Sequence, residues 1–319
     1  MRRATTFGVA AVVLAALAAL PAAVSGYIVY IANLLLIDVV LCLGLNIIVG
    51  EAGQFALSHA AFYGIGIYVA GLAGSRLGWM FPLPMLCGGL LAAVCGTLIG
   101  AVALRMRDIY LALATFAFGQ AMQWVFLNWS PVTGGPNGLH IAPARIGPWR
   151  IMTDAGAYPL VLGSAVVMLA LAVVLSRARF GRSLRALRSS EIAAAAMGIP
   201  VRRTRVIAFA LSAAFAGIAG GMFATFSTFI HPDSLGFETT IAILTMIVVG
   251  GLGSIPGAVG GAALFGIAAE LLRSLPAWRE IIYGIILLGF MMFLPRGLVP
   301  TLLARLRPAG PPARRAARA

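Results

Sequence analysis

Residues 177–205 read RARFGRSLRALRSSEIAAAAMGIPVRRTR and lie between two long apolar runs. The stretch holds eight arginines, yet its centre, Ser189 to Val201, holds none. Ser189 or Ser190 suits the N-cap of a helix, and Glu191 suits that helix's positive end. Ala193 to Ala196 is a run of the strongest helix former. Gly198 fits a C′ position and Pro200 stops the helix. The spacing predicts about two turns, roughly 12 Å at ~1.5 Å per residue. A helix so short is marginal alone, so the sequence asks for something to support it.

Around this stretch the chain is apolar. Of 319 residues, 61% are hydrophobic and 10% charged, with a mean hydropathy of +1.00. A soluble core cannot hide that much apolar surface, so the fold class is an all-α polytopic membrane protein. Net charge is +14, and every basic residue is arginine. Nucleic acid is one partner for such a charge. The arginines cluster instead in connections between apolar runs, the positive-inside pattern, so no nucleic-acid partner is expected. Without lysine there is no Walker A loop, and the chain does not hydrolyse ATP in that manner by itself. Cys42, Cys87 and Cys95 lie in apolar runs without CxxC spacing and read as small buried hydrophobes rather than disulfides or metal ligands.

Apolar segments fall near 7–24, 27–49, 55–73, 82–104, 109–128, 159–175, 206–230, 239–250, 256–272 and 281–294. This predicts about ten transmembrane or re-entrant helices. The first, behind Arg2 and Arg3, has the features of a secretory signal. The apolar run resumes at Tyr27, which favours an uncleaved first span. The eighth is short for a span of ~20 residues and reads as a broken helix or as half of a re-entrant pair with the ninth. With both termini cytoplasmic, the inside connections carry Arg2, Arg3, Arg105, Arg107, the eight of 177–205, and Arg296 to Arg318. Arg76, Arg145, Arg150, Arg273 and Arg279 fall outside, a strong bias. Residues 1–307 read as one membrane domain. Residues 308–319, built of Pro, Gly, Ala and Arg, read as a disordered basic tail near anionic lipid.

An internal echo appears at an offset of 200. Ile47-Ile48-Val49-Gly50-Glu51-Ala52-Gly53 matches Ile247-Val248-Val249-Gly250-Gly251-Leu252-Gly253. Gly50, Gly53, Gly250 and Gly253 are candidate helix-break glycines in two related halves. The topology above makes the two motifs parallel; one miscounted span would invert them. Transporters built of two halves place such broken helices around a central pathway.

Polar residues inside apolar spans are costly and therefore informative. Asp38 either bonds to a neighbouring helix or lines a pathway. Asn46, Glu51, Gln54, Ser58 and His59 crowd the first glycine motif, where free backbone groups can meet a zwitterionic ligand. Thr115, Gln120 and Gln123 share the fifth span, for contact with solute or for helix-to-helix hydrogen bonds. The candidate pathway set is Asn46, Gln54, Ser58, His59, Thr115 and Gln120. Glu270 is expected to pair locally with Arg273. The glycines Gly64, Gly66, Gly71, Gly217, Gly220 and Gly221 give small faces for close helix packing. His59, His140 and His231 are scattered, no catalytic constellation assembles, and no metal site is expected.

These residues carry a resemblance. Gly44-Leu45-Asn46 with Gly53-Gln54-Phe55-Ala56-Leu57-Ser58-His59-Ala60-Ala61-Phe62, Ile109 to Gly119, and Thr133-Gly134-Gly135-Pro136-Asn137-Gly138-Leu139 run in order. Gly181-Arg182-Ser183 to Gly198-Ile199, Gly250-Gly251-Leu252-Gly253-Ser254 with Pro256-Gly257-Ala258, and Leu294-Pro295-Arg296-Gly297-Leu298 continue the series. The chain resembles the permease subunit of bacterial branched-chain amino-acid ABC importers, and looks like the LivM type more than the LivH type. The resemblance implies a LivH-type second permease, two cytoplasmic ATPases that hold ATP and Mg, an extracytoplasmic solute-binding protein and a place in the bacterial inner membrane. It implies no cofactor on this chain and no enzymatic activity of its own. It also implies that Ser190, Glu191, Ala194, Ala195, Met197 and Gly198 form a coupling helix that docks on an ATPase. The expected cargo is branched-chain or related small amino acids. Gln120 departs from the family, whose members often carry an acid there. An ion-coupled secondary transporter is the alternative, weakened by the scarcity of membrane acids.

Overall fold

Backbone polar groups in hydrocarbon must be satisfied internally, so the apolar runs become helices. The computed structural model describes residues 15–103, 106, 108–142, 144–147, 149–151 and 153–272, with scattered positions between 281 and 301. Arg2, Arg3, Arg105, Arg107, Arg273, Arg279 and every arginine from Arg296 to Arg318 lie outside the described residues, as do both termini and the tail at 308–319.

Residues 15–23 are helical. Helix α1 spans Gly26–Leu45 and continues into a π-helical turn, Asn46–Glu51. Helix α2 spans His59–Arg76, α3 Leu83–Ala103 and α4 Asp108–Asn128, followed by the single turn α5 at Ser130–Thr133. Helix α6 spans Asp154–Arg177, α7 Arg179–Ser189, α8 Glu191–Ala196 and α9 Val201–Phe226. Helices α10 and α11 span Phe237–Gly250 and Ile255–Leu271. Five stretches are long and apolar enough to cross a membrane: Gly26–Glu51, Leu83–Val102, Ile109–Asn128, Asp154–Arg177 and Val201–Phe226. The protein is an all-α multi-pass membrane protein.

Two sequence expectations need correction. The third apolar segment, read from 55, becomes helical only at His59. Before it, Ala52, Gln54, Ala56 and Ser58 are buried while Gly53 and Phe55 are exposed, the alternation of extended chain. Positive φ at Gly53 ends the preceding turn. The basic stretch, read as a charged loop with a helical centre, is helical along most of its length. Arg202, Arg203 and Arg205 sit in the first two turns of α9, and Arg179 to Arg188 form α7. Arginine is a good helix former, and its long stem lets the charge reach water from a helix lying against apolar surface.

Helix α9 is the hub, packed along α3 and α2, with α1 on a third side. Glycines permit this closeness. A Cβ on Gly66 would collide with the Gly217 backbone, and one on Gly220 with the backbone of Tyr63 and Ile67. Buried positions encircle α2, including His59, Phe62, Tyr63, Ile65, Gly66, Ile67 and Tyr68. The long helix α4 is the least buried of the five candidate spans. Helices α10 and α11, with 14 and 17 residues, reach only about 21 and 25 Å against a hydrocarbon core of ~30 Å.

The two ends of the bundle differ. At one end β1 (Leu139–His140) pairs antiparallel with β4 (Phe229–Ile230), and β2 (Arg145–Ile146) with β3 (Trp149–Arg150). There the Arg76 guanidinium donates to the Pro131 carbonyl at 3.1 Å, and Phe81 N–H to the Arg145 carbonyl at 2.9 Å. His140 and His231, far apart in sequence, both lie against the Phe229 ring, at 4.8 and 6.1 Å between centroids. At the other end α7 meets the C-termini of α1 and α10, so those two helices run in the same direction.

Candidate functional site

The glycine motifs come together at the arginine-rich end. Asn46 is 2% exposed, and its side-chain oxygen accepts a hydrogen bond from Gly253 N–H at 2.8 Å. Gly50 lies one turn after Asn46 on the same face. A Cβ there would strike the Asn46 amide and approach Gly253 N at 2.6 Å, so a glycine lets the side chain pass. Gly53 and Gly253, equivalent by the 200-residue offset, both have positive φ, +69° and +76°. The two motifs therefore share the conformation of their last glycine and touch, although the first is a π-helical turn and the second ends an α-helix with a positive φ at Gly251 as well. The connections after them differ: seven residues, 52–58, separate the first turn from α2, whereas Ser254 directly caps α11, its hydroxyl accepting from Gly257 N–H at 3.2 Å.

Helix α7 lies over this junction. Leu184 and Leu187 are buried, which leaves the arginines facing outward or across the junction. The Arg188 guanidinium donates to the Gly50 carbonyl, and Arg185 pairs with the buried Glu51 carboxylate at 3.7 Å. One residue separates α7 from α8. Ser190 caps α8, its hydroxyl accepting from Ala193 N–H at 3.3 Å, and Glu191 pairs with Arg205 of α9 at 2.6 Å. Gly198 has φ +79°, and Ala194 is buried, as Ala195 is not. Ile192 and Met197 are 85% and 83% exposed. Ile192 on this six-residue helix and Met197 at its C-cap form an exposed apolar surface among the described residues. A groove of ≈ 1020 Å³ opens beside it, lined by Gln54, Phe55, Leu187, Arg188, Ile192 and Ala195 among others.

The candidate pathway residues do not all lie together. Asn46 belongs to the glycine junction. His59 is buried, its Nε2 donating to the Leu41 carbonyl at 3.0 Å, with Gly44 and Phe215 close by. Gln54 lines the groove beside α8, and Ser58, Thr115 and Gln120 lie at or beside a seam between α4, α10 and the start of α2. Thr115 holds the extended stretch: its hydroxyl accepts from Leu57 N–H at 2.9 Å and donates to the Ala112 carbonyl at 3.0 Å. Thr240 of α10 accepts from Ala60 N–H at 3.1 Å. Gln120 lines the seam with Phe116, Gly119 and Phe237, and the Phe116 and Phe237 rings meet edge to face at 4.9 Å. Gln123 abuts Gly236. Ser58 Oγ and Gln54 Oε1 are buried without a hydrogen-bond partner. Buried polar atoms are normally satisfied, so Ser58 beside the seam has spare hydrogen-bonding capacity among the described residues. The seam's cavity of ≈ 10 Å³ holds at most about one water.

Asp38 is half-buried on α1 near Gly266 of α11. Glu270 accepts a hydrogen bond from the Tyr27 hydroxyl, while its expected partner Arg273 lies outside the described residues. Sequence reasoning missed Arg188 and the amphipathic α7. Phe180, Leu184 and Leu187, at helical spacing among arginines, were the signal for the helix.

Residues 27–293 match the family described as the branched-chain amino acid transport system permease component. The high-affinity branched-chain amino acid transport system permease protein LivM of Escherichia coli (strain K12) is 35% identical over 318 residues, 92% of this chain and 74% of the relative. LivM of Salmonella typhimurium (strain LT2) is 33% identical, covering 85% and 69% of the two chains. The E. coli permease protein LivH is 25% identical over 277 residues, 81% of this chain and 90% of the relative. No solved structure matches the chain.

Proposed function

Because the chain belongs to the family of branched-chain amino acid transport permease components, we propose that it is the membrane permease subunit of an ATP-binding-cassette importer for branched-chain or related small amino acids. It performs no covalent chemistry. ATP and Mg are bound by two separate cytoplasmic ATPase subunits. A LivH-type second permease completes the membrane part, and an extracytoplasmic binding protein delivers the solute. Two distinct relatives in one organism, LivM and LivH, support pairing with a second permease. The assembly sits in the bacterial cytoplasmic membrane, with the arginine-rich end facing the cytoplasm, as the positive-inside rule requires.

The observation that carries this reading is helix α8. It is capped at both ends, tied to α9 by the Glu191–Arg205 pair, and presents Ile192 and Met197 outward. Such a helix fits a groove on an ATPase. Closure of the ATPase pair would move α8, and α8 would move the helices that meet at the glycine motifs. ATP supplies the energy difference between two packings of those helices. The seam of Ser58, Thr115 and Gln120 supplies polar groups for a zwitterion once α4 and α10 part. Reconstitution with the second permease, the ATPases and the binding protein in proteoliposomes tests the reading. ATP-dependent uptake of labelled leucine is expected. Uptake driven by an ion gradient without ATPases would favour secondary transport instead.

A further inference from the structure

We propose that Arg188 is the positioning residue that links ATPase-driven movement of α8 to both glycine turns at once. The proposal rests on the reading of α8 as the ATPase-docking helix. Three observations meet at this side chain. Its guanidinium donates to the carbonyl of Gly50, at the end of the first turn. Its stem lies on Gly53, where a Cβ would come within 2.8 Å of Cγ and 3.4 Å of Cβ. Its Nη1 also lies against the second motif, where a Cβ on Gly253 would come within 2.9 Å. One arginine thus touches equivalent positions of two motifs that are 200 residues apart in sequence.

Position along the chain gives the contact its consequence. Arg188 is in the last turn of α7, and Ser190 both ends α7 and caps α8. No flexible linker separates the docking helix from the arginine, so a displacement of α8 reaches Arg188 undamped. Beyond Arg188 the motifs are joined to each other by the Asn46 side chain. Helices α1 and α10 end at these motifs, so a pull on the arginine acts on the C-termini of both. Arg185 adds a second tether to the first motif through Glu51. The planar guanidinium, with several donors on one rigid fork, suits a bridge between two backbone turns better than a lysine ammonium does.

The test uses the complete transporter in proteoliposomes, comparing wild type, Arg188→Met and Arg188→Lys. Arg182→Met serves as the control, since it removes the same charge from the same helix without touching either motif. Three readouts are needed: ATPase subunits retained on purification, uptake, and the stimulation of ATP hydrolysis by loaded binding protein. In Arg188→Met the ATPases remain bound, while uptake per ATP falls by roughly 2- to 30-fold, the range expected when a contact in a coupling network is lost. Stimulation by binding protein weakens in parallel. Arg188→Lys shows the same defect in milder form and serves alone if the methionine variant is not recovered. Unchanged uptake per ATP in the recovered variant would overturn the proposal. Loss of the ATPases from an Arg188 variant would overturn it too, because Arg188 would then belong to docking. If wild type itself retains no ATPase, the underlying reading of α8 fails, which is a different result.

Discussion

The side-chain oxygen of Asn46 accepts a hydrogen bond at 2.8 Å from the backbone N–H of Gly253, 207 residues further along the chain. The contact joins two turns that resemble each other in sequence and in the φ of their last glycine. It brings the two motifs of the internal echo together at this point of the fold.

Asn46→Leu removes the side-chain acceptor of that N–H. An unsatisfied buried donor costs about 1–3 kcal/mol. Thermal unfolding in detergent should show a lowered midpoint, and uptake should fall while ATPase binding persists. A variant with the midpoint and uptake of wild type would remove the structural role assigned to Asn46.

Glycine substitutions should separate by place. Gly53→Ala and Gly253→Ala face a left-handed backbone, at about 1–2 kcal/mol each, together with contact against Arg188. Gly163→Ala, in α6 with nothing within 4 Å, should stabilise by about 0.5–1 kcal/mol instead. Unfolding midpoints of the three variants check the ordering.

Gly198 poses a different problem. Its φ is +79°, and no atom lies within 4 Å of a Cβ placed there. Strain rather than collision is the obstacle, so Gly198→Asn should transport well and Gly198→Val poorly, since asparagine visits this backbone region readily. Equal uptake by the two would show that the turn after α8 needs no left-handed residue. Glu191→Arg should also impair transport, because it replaces an ion pair with repulsion from Arg205 and sets a positive charge at a helix N-terminus.

On the pathway side, Gln120→Leu should raise the KM for uptake without changing the amount of complex that assembles. Ser58→Leu should impair uptake more, because Ser58 is buried where the extended stretch enters α2. Unaltered kinetics in both variants would move the pathway away from this seam.

The local features of the basic stretch were legible because they depend on neighbouring residues. Ser190, Glu191 and Gly198 mark a helix and its ends by cap chemistry alone. The apolar runs declared the fold class, and the glycine echo pointed to a meeting place. What could not be read was tertiary. Nothing near Arg188 in sequence announces Gly50 and Gly253, and an arginine that sets topology looks the same as one that grips a turn. His59 is a candidate pathway residue by its place after a helix break, but nothing near it in sequence announces the Leu41 carbonyl to which its ring turns. The extended stretch at 52–58 was hidden by its apolar composition, since alternation over so few residues is lost among Ala, Phe and Leu.

The central claim is that α8 is the surface on which an ATPase docks. Ile192 and Met197 make it directly testable, because they are exposed in the chain itself and their removal costs the permease little packing. The measurement is retention of ATPase subunits on the purified permease pair carrying Ile192→Glu and Met197→Glu, with membrane level and unfolding midpoint recorded alongside. The account predicts a permease pair as abundant and stable as wild type that no longer retains the ATPases. Full retention of the ATPases by that double variant would contradict it.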